Sequence, residues 1–576
     1  MSVAVPGLAL DLPRWRSRTM LVLLLVGFGV LLGRAVYLQG LNKGFLQKKG
    51  DARYGRVIEL LATRGMITDR NREPLAISTP VESVCASPGD VEISAVQMKR
   101  LSQLLEIDAG EIHKRLADTN REFVYLKRHL PPDQAAKIVE LNVPGIFLQR
   151  EYRRYYPGSD YFAHLIGFTD INDQGQEALE RAFESRLAGK PGSRRVIKDR
   201  LGRIVEDVGS VRLPQQGRDL ALSVDARIQH LAYRELKNAV EANHAKAGGI
   251  VVLDAQTGEV LAMANLPSYN PNNRGKLDPR RTRNRTVMDL FEPGSTLKPF
   301  TVAAAIDGGL YKPETVVQTG AGQLVIGTKT IHDSHPGGAM TVAQVIQKSS
   351  NVGAAKIALA MPAEKLWDIF SKVGFGTQPR SGFPDEVSGR LRAYANWRPI
   401  EQATMSYGHG ISLSLLQLAR AYLVFASDGE IMPVTVVKLD SPAASTRVIS
   451  ATTATQVRKM LEMVVQPGGT APRAQITGYR VAGKTGTAHK LDGATYAPNK
   501  YISSFVGFAP ASAPRLIVAV MIDEPGAGQY YGGTVAAPVF SSVMAGSLRL
   551  LGVKPDAPLN NVVLPPPDAP EVSEEV

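Results

Sequence analysis

Three short motifs carry the residue types that a serine-dependent acyl transfer needs. The first, Ser295-Thr296-Leu297-Lys298, follows Pro293-Gly294 and is the only Ser-x-x-Lys in the chain. This spacing predicts a helix start with Ser295 and Lys298 on one face. A serine hydroxyl needs a base to remove its proton, and a lysine is such a base only where burial or a second cation lowers its pKa. A helix N-cap beside a solvated lysine gives the same pattern, so the motif needs further support.

Two later motifs supply that support. Ser349-Ser350-Asn351 offers hydroxyls and an amide that can relay protons and hold a substrate amide, although Ser268-Tyr269-Asn270 has the same S-x-N form. Lys484-Thr485-Gly486-Thr487 contains the only Lys-[Ser/Thr]-Gly and lies near a predicted strand. It offers a cation for a substrate carboxylate and a glycine against which a substrate can lie along the strand edge. The three motifs together indicate a serine acyl-transfer site.

Two other chemistries compete for parts of these motifs. Residues Gly478 to Thr485 also fit the phosphate-loop pattern G-x-x-x-x-G-K-[ST]. That loop requires a buried strand before it and a helix after it, but the upstream residues are polar and Gly486 disfavours a helix. His332 and His335 have a spacing compatible with metal ligation, but no third ligand is evident. We therefore expect no metal or cofactor.

One apolar run predicts a membrane anchor. Residues 19–38 would form a helix of about 30 Å, the thickness of a bilayer core, with Arg34 able to reach the far interface. Arg14, Arg16 and Arg18 precede it. A cleaved signal peptide is the alternative, but no small-x-small cleavage site follows. We expect residues 1–18 to be a cytoplasmic tail and the rest of the chain to lie outside the cytoplasm.

The remaining sequence predicts an α+β, multidomain protein. Residues 39–215 form a first mixed region, and the polar stretch 213–217 marks a hinge before a domain at 216–554. Strand-like runs at 220–224, 249–253 and 259–264 precede a helix-rich stretch at about 290–465, and three more follow at 479–482, 502–509 and 516–522. This order implies an antiparallel sheet assembled across a helical insertion. The Pro-rich residues 555–576 are expected to be a flexible tail.

Composition excludes several classes of protein. The chain has 576 residues, of which 44% are hydrophobic and 21% charged, so it is neither wholly disordered nor collagen-like. Its net charge of +13 fits nucleic acid, an anionic membrane or a polyanionic wall, but no aromatic-basic RNA-binding motif is present. The single cysteine, Cys85, cannot form an intramolecular disulfide and lies in an apolar stretch typical of a core thiol.

The chain resembles the class B penicillin-binding proteins, and among them the division-specific FtsI type (penicillin-binding protein 3). The three motifs are the set of penicillin-binding proteins and class A β-lactamases. The wider resemblance covers the anchor, Arg64-Gly65-x-Ile67-x-Asp69-Arg70-Asn71, Arg285 to Lys298, Tyr407-Gly408-His409-Gly410, Gly478 to Thr487, Asp523-Glu524-Pro525 and Tyr531-Gly532-Gly533. Asn71-Arg72 departs from the family's usual Asn-Gly. The resemblance implies an elongated pedestal (39–215) and a transpeptidase domain with a five-stranded antiparallel sheet, flanking helices and an all-helical subdomain.

The resemblance also implies a role for each residue of the three motifs. Ser295 would attack the carbonyl between the last two D-alanines of a peptidoglycan stem peptide, with Lys298 as base and Ser349 passing a proton to the leaving D-alanine. Asn351 would orient the substrate amide and Lys484 would help to keep Lys298 neutral. The other expected contacts are the substrate carboxylate at Lys484, Thr485 and Thr487, substrate binding at Ser350 and Gly486, and an oxyanion hole from the backbone N–H groups of Ser295 and Thr487.

The family's biology sets further expectations. The acceptor would be the amine of diaminopimelate, β-lactams would acylate the serine, and the enzyme would act at the septum of the inner membrane with an FtsW-type glycan polymerase and other divisome proteins. A D,D-carboxypeptidase or β-lactamase shares the motifs, but the anchor and the large N-terminal region argue against a small secreted hydrolase. A penicillin-sensing receptor would need a cytoplasmic signalling domain. A bifunctional glycosyltransferase would need a further catalytic domain.

Overall fold

The computed structural model describes residues 14–41, 55–198, 204–492 and 495–563. The expected cytoplasmic tail up to residue 13 and the end of the Pro-rich tail from residue 564 lie outside these residues. The apolar N-terminal run forms a helix, Arg14–Val36, followed by a short π-helical turn, Tyr37–Leu41. It is long and apolar enough to span a membrane, and none of its side chains is buried against protein.

The chain forms two compact units, each built from segments that are not continuous in sequence. The first unit contains residues up to 62, 80–151 and 190–215, and the second contains 63–79, 152–189 and everything from 216 onward. The division of the chain at 39–215 and 216–554 stays a prediction, and the contacts group 63–79 and 152–189 with the second unit. Within the second unit, strand Ile67–Thr68 pairs in parallel with Leu220–Ala221. Such pairings between segments that are distant in sequence leave no local signal.

A five-stranded antiparallel sheet lies at the centre of the second unit. Its strands, numbered in chain order, are β1 Ala247–Asp254, β2 Val260–Leu266, β3 Ala482–Asp492, β4 Thr495–Ala509 and β5 Leu516–Asp523. The spatial order is β2-β1-β5-β4-β3, with every neighbouring pair antiparallel. Sequence predicts most of these strands, but β3 begins at Ala482, where the predicted run Tyr479 to Ala482 ends. Strand β3 is at the edge of the sheet and carries the Lys484 motif.

Helices cover both faces of this sheet, which explains why β1 and β5 are buried along their whole length. Successive residues of a strand point to opposite faces. A Cβ on Gly248 would meet Val240 and Leu236 of helix α1 (Ala226–Ala242), whereas one on Gly249 would meet Thr286 and Leu415. The helices that the following sections use are α2 Lys298–Asp307, α3 Val342–Lys348, α4 Asn351–Leu359, α5 Ala451–Val465 and α6 Ala537–Leu550.

The insertion between β2 and β3 is rich in helices but is not helical throughout. It contains six short strands, which pair as three small antiparallel sheets: Val316–Gly320 with Gly338–Thr341, Gln323–Ile326 with Lys329–His332, and Glu430–Ile431 with Thr446–Arg447. Glycines with positive φ at positions 320, 322 and 327 allow the tight turns between the strands at 316–341. The expected all-helical subdomain is thus corrected to a mainly helical subdomain that also contains small β-sheets. Strands this short leave only a weak pattern in the sequence.

The other helices of the second unit are short. They are Ala163–Ile166, Ala178–Ala182, Glu184–Leu187, Arg285–Met288, Ala363–Lys372, Pro399–Met405, Leu415–Ala421, Leu423–Ala426 and Gly532–Val535.

The first unit has its own small core. Helices Ala95–Leu105, Ala109–Leu116 and Pro132–Val139 bury apolar residues with the strands Val124–Leu130 and Ile146–Tyr155. Strand Pro74–Ala86 contributes Val84 and Ala86, and a three-stranded sheet contains Gly55–Leu60, Gly192–Lys198 and Ile204–Arg212. Cys85 is fully buried, which confirms the prediction of a core thiol.

The first part of the Pro-rich tail is held by hydrogen bonds. Asn561 donates its amide to the carbonyls of Ile476 and Tyr479, both at 3.0 Å, and Val563 donates its N–H to Gln475 Oε1 at 2.7 Å. The expectation of flexibility from residue 555 is therefore wrong for residues 555–563. Composition suggested a solvated segment, whereas side-chain bonds to residues 475–479 order it.

Candidate active site

Ser295 lies in a tight turn at the start of helix α2. Residues Gly294–Leu297 form one 3-10 turn, and Lys298 begins the α-helix. Gly294 has φ 55, a conformation that glycine adopts without strain. The hydroxyl of Tyr422 donates to the Thr296 carbonyl at 2.9 Å. The sequence prediction that Ser295 opens a helix is confirmed, and the turn is braced by a buried side chain from a distant helix.

Lys298 and Ser295 are in direct contact. Lys298 Nζ donates to Ser295 Oγ at 2.9 Å, and Lys298 is fully buried while Ser295 is 5% exposed. Burial removes water from the amine and so disfavours its charged form. The arrangement is that of a hydroxyl beside a candidate base and excludes the solvated lysine of the N-cap alternative.

Ser349 links this pair to the second lysine. It lies between helices α3 and α4 in a left-handed backbone conformation (φ 62), which is rare for residues other than glycine. Its hydroxyl accepts from Lys298 Nζ at 3.1 Å and from Lys484 Nζ at 2.9 Å, and its carbonyl also accepts from Lys298. The two buried amines are therefore held within two hydrogen-bond lengths of each other, so that charge on one opposes charge on the other.

Strand β3 lies directly against the Ser295 turn. A Cβ on Gly486 would lie 2.8 Å from the Pro293 carbonyl oxygen and 2.5 Å from Ser504 Oγ, so no side chain fits there. A Cβ on Gly294 would lie 3.1 Å from the Thr487 carbonyl oxygen. The backbone segments of the predicted oxyanion-hole residues, Ser295 and Thr487, are thus adjacent, and the oxyanion hole itself stays a prediction.

The structure gives the other predicted residues different surroundings. Thr485 is fully buried, and its hydroxyl pairs with Thr470 at 2.8 Å and accepts from Lys484 Nζ at 3.0 Å. Thr487 Oγ1 accepts the Gly532 N–H at 3.1 Å. Both threonine hydroxyls have partners within the protein, and their binding of a substrate carboxylate remains a prediction.

Ser350 and Asn351 both begin helix α4. Ser350 donates to Asp333 Oδ2 at 2.6 Å and caps the helix by accepting the Gly353 N–H at 2.8 Å. These bonds assign its hydroxyl to holding the helix start, which argues against the predicted role in substrate binding. Asn351 Nδ2 donates to the His332 carbonyl at 3.3 Å. The sequence pattern could not show which of these two residues caps the helix, because that depends on which side chain lies next to Asp333 in the fold.

The structure also bears on the phosphate-loop alternative. Lys484 and Thr485 lie inside strand β3, so the phosphate-loop pattern has no following helix.

Three residues near the site were missed by sequence reasoning. Thr470 contacts Thr485, and Tyr422 contacts Thr296. Glu292 accepts hydrogen bonds from the Gly410 N–H and the Tyr496 hydroxyl, both at 2.8 Å. Burial raises the pKa of Glu292, and burial lowers the pKa of the neighbouring His409 to about 4. Only the proximity of Glu292 to Ser295 in sequence could have indicated one of them.

The fold and the site together define a serine acyl-transfer enzyme with a buried lysine in contact with the serine. Residues 248–545 match the model of the penicillin-binding protein transpeptidase domain, and residues 59–222 match that of the penicillin-binding protein dimerisation domain. The chain belongs to the penicillin-binding protein transpeptidase family.

Individual relatives cover nearly the whole chain. The probable peptidoglycan D,D-transpeptidase PenA of Neisseria gonorrhoeae is 44% identical over 96% of this chain and 95% of its own length. The peptidoglycan D,D-transpeptidase FtsI of Escherichia coli K12 is 43% identical over 94% of this chain and 93% of its own. The transpeptidase domain of Burkholderia pseudomallei penicillin-binding protein 3 is 50% identical, with a TM-score of 0.55, over 58% of this chain and 98% of that one. The resemblance expected from the motifs is confirmed.

Proposed function

We propose that this protein is a peptidoglycan D,D-transpeptidase that crosslinks stem peptides through an acyl-enzyme on Ser295. The observation that carries the proposal is the shared hydrogen bonding of Ser295, Lys298, Ser349 and Lys484 in one buried cluster. Relatives named D,D-transpeptidases that match almost the entire chain support the same activity.

In the first half-reaction Ser295 becomes acylated. Neutral Lys298 takes the proton of the Ser295 hydroxyl while Oγ attacks the carbonyl carbon of the penultimate D-alanine. The resulting tetrahedral intermediate loses its C–N bond, and the proton returns through Ser349 to the leaving amine of the terminal D-alanine. Lys484 supplies the second positive charge that disfavours protonation of Lys298 before the attack.

In the second half-reaction an amine from a neighbouring strand replaces the enzyme. The amine nitrogen attacks the ester carbonyl, its proton passes to the site base, and the Ser295 oxygen leaves and is reprotonated. The product is a new peptide bond between strands. A β-lactam offers the same carbonyl but keeps its leaving group tethered, so the enzyme stays acylated.

Substrate recognition follows from the remaining groups of the cleft. Lys484, Thr485 and Thr487 bind the terminal carboxylate, and Asn351 orients the peptide amide beside Ser295. The backbone N–H groups of Ser295 and Thr487 stabilise the oxyanion, an interaction that is typically worth about 3 kcal/mol per donor. The adjacency of Gly294 and Thr487 supports this assignment.

The N-terminal helix and the family support a cellular setting. We propose that helix Arg14–Val36 anchors the protein in the inner membrane, that the catalytic unit lies in the periplasm, and that the enzyme acts at the division septum. Its partners there would be an FtsW-type glycan polymerase and other divisome proteins. Imaging a fluorescent fusion in dividing cells tests this setting; uniform distribution around the cell would contradict it.

Labelling with fluorescent penicillin tests the acyl-enzyme. The wild type and Ser268→Ala should be labelled equally, because Ser268 donates to the Asp160 carbonyl and not to the cluster. Ser295→Ala should not be labelled. Equal labelling of Ser295→Ala would overturn the proposal.

Product analysis separates a transpeptidase from a carboxypeptidase. With a D-Ala-D-Ala peptide as donor and an amine-bearing peptide as acceptor, a transpeptidase yields crosslinked dimer in addition to free D-alanine. Free D-alanine without dimer at any acceptor concentration would favour hydrolysis as the activity.

A further inference from the structure

Glu292 is a buried carboxylate beside the nucleophile that the proposed mechanism does not use. It precedes Ser295 by three residues and is 8% exposed. Oε1 accepts the Gly410 N–H and Oε2 accepts the Tyr496 hydroxyl. Gly410 follows Gly408, whose carbonyl accepts the Gly294 N–H at 3.4 Å. The carboxylate is therefore connected to the Ser295 turn in two ways: along the chain, and through the loop that contains Gly408 and Gly410.

The carboxylate has no cation beside it in the part of the chain that the structure describes. Its pKa is raised by burial and opposed only by the hydrogen bonds from Gly410 and Tyr496, with no lysine, arginine or histidine contributing. A buried carboxylate is costly unless it is paired, and each of its oxygens has room for one more donor. Each oxygen already accepts one hydrogen bond, and a cation bound beside them would further offset the cost of burying the charge.

The surroundings of Glu292 suit an organic cation. The Tyr496 ring lies 6.2 Å, centroid to centroid, from both His409 and His489, and Tyr407 lies 5.2 Å from His409. Aromatic faces attract ammonium groups. His409, with its lowered pKa of about 4, is neutral near pH 7 and does not compete as a cation. Tyr496 is 46% exposed, so a ligand can approach from solvent.

We infer that Glu292, Tyr496 and His409 form the subsite that binds the primary ammonium group of the acceptor strand. This inference rests on the proposed transpeptidase function and names the recognition element for its second substrate. The carboxylate binds the ammonium by charge and hydrogen bonding, and the aromatic rings cover its carbon chain. The charge of Lys484 would repel the same group, so we expect the ammonium to bind beside Glu292 before it reaches the acyl-enzyme.

The test is the partition of the acyl-enzyme between transfer and hydrolysis. The donor is a D-Ala-D-Ala peptide, and the probe acceptor is a short peptide with one primary amine. Glu292→Gln should raise the KM for this acceptor about tenfold or more and shift product from dimer to free acid. Glu292→Asp, which keeps the charge, should restore part of the transfer. Glu462→Gln is the control, because it removes the same charge from a partly exposed ion pair between Glu462 of helix α5 and Arg480.

Penicillin acylation and thermal unfolding distinguish this role from a structural one. A merely structural Glu292 would lower acylation, transfer and melting temperature together, whereas the subsite predicts a selective loss of transfer. An unchanged KM for the acceptor in folded Glu292→Gln would overturn the inference. Wild-type enzyme that makes no dimer at all would instead overturn the proposed function.

A second measurement needs no variant. Tetramethylammonium chloride cannot act as an acceptor but should occupy an ammonium subsite, so it should inhibit dimer formation competitively with the amine peptide. Sodium chloride at the same concentration should not. Equal effects of the two salts would contradict the subsite even if Glu292→Gln failed to fold.

Discussion

Ser349 combines an unfavourable backbone conformation with the central hydroxyl of the site. Its left-handed φ of 62 costs a non-glycine residue about 1 kcal/mol or more, and its hydroxyl contacts both Lys298 and Lys484. Strain of this kind persists where the surrounding structure requires it and is often found at functional sites. The proton relay proposed for Ser349 gives such a requirement.

Two substitutions at Ser349 separate the hydroxyl from the backbone. Both Ser349→Ala and Ser349→Gly remove the hydroxyl, but glycine also relieves the left-handed conformation. We expect both to slow transfer by about a hundredfold, the usual scale of a lost proton-transfer group. Stopped-flow acylation and product assays measure this effect. Near-normal rates in Ser349→Gly alone would show that the backbone, and not the hydroxyl, matters.

Cys85 should be chemically inert in the folded protein. Burial raises the pKa of its thiol to about 12, with the charge of Glu151 as a smaller cause, so almost no thiolate exists at pH 8. We expect negligible reaction with an aromatic disulfide reagent under native conditions and one thiol per chain in denaturant. Rapid native reaction would contradict the burial of Cys85.

At the scale of elements, the Ser295 turn depends on the loop that follows helix Pro399–Met405. Gly408 has φ 91, and a Cβ there would lie 2.2 Å from the Gly294 carbonyl oxygen. Gly408→Ala should therefore destabilise the protein by about 2–3 kcal/mol and slow penicillin acylation, because the turn must move. Urea unfolding and stopped-flow acylation provide the two readouts.

Gly309 is the matched control for that substitution. It also has a positive φ, 72, but has open space around a built Cβ. Gly309→Ala should cost only the conformational penalty, about 1 kcal/mol, and leave acylation unchanged. Equal loss of acylation in both variants would show that the contact with Gly294 does not position Ser295.

Elements with strong local patterns could be predicted, and those that depend on distant contacts could not. The continuous apolar runs of β1 and β5 and the Pro-Gly break before Ser295 each indicate their structure from neighbouring residues. The four short strands at 316–341 and the start of β3 at Ala482 depend on pairing partners far along the chain. The site shows the same division: the motifs identify Ser295, Lys298 and Lys484, whereas Thr470, Tyr422 and Glu292 enter only through the fold.

At the scale of the whole molecule, the N-terminal helix is separable from catalysis. The described part of residues 1–41 consists of the apolar helix and its π-helical turn, with no side chain buried against either compact unit. Deleting residues 1–41 should release the protein from the membrane fraction and leave penicillin acylation unchanged. Fractionation after an alkaline wash measures the release. Retention of the shortened chain in the membrane would reveal a second attachment.

The second unit includes residues 63–79 and 152–189, so a truncation that removes everything before residue 216 also removes part of this unit. Within the second unit, Arg64 forms a buried ion pair with Glu180, although both residues precede the hinge at 213–217. A fragment beginning at residue 216 loses both residues together with the strand at Ile67–Thr68, so it should unfold at a lower temperature than the chain from residue 42. Differential scanning calorimetry compares them; equal melting temperatures would contradict this dependence.

The central claim is that Lys298 activates Ser295 in a neutral form that the Lys484 charge maintains. The most direct measurement is the rate of penicillin acylation against pH for the wild type and Lys484→Met. Without the second cation Lys298 would hold its proton more tightly, so the acidic limb of the profile should move to higher pH and the rate at pH 7 should fall about a hundredfold or more. A profile of unchanged midpoint, with only its height reduced, would contradict the claim.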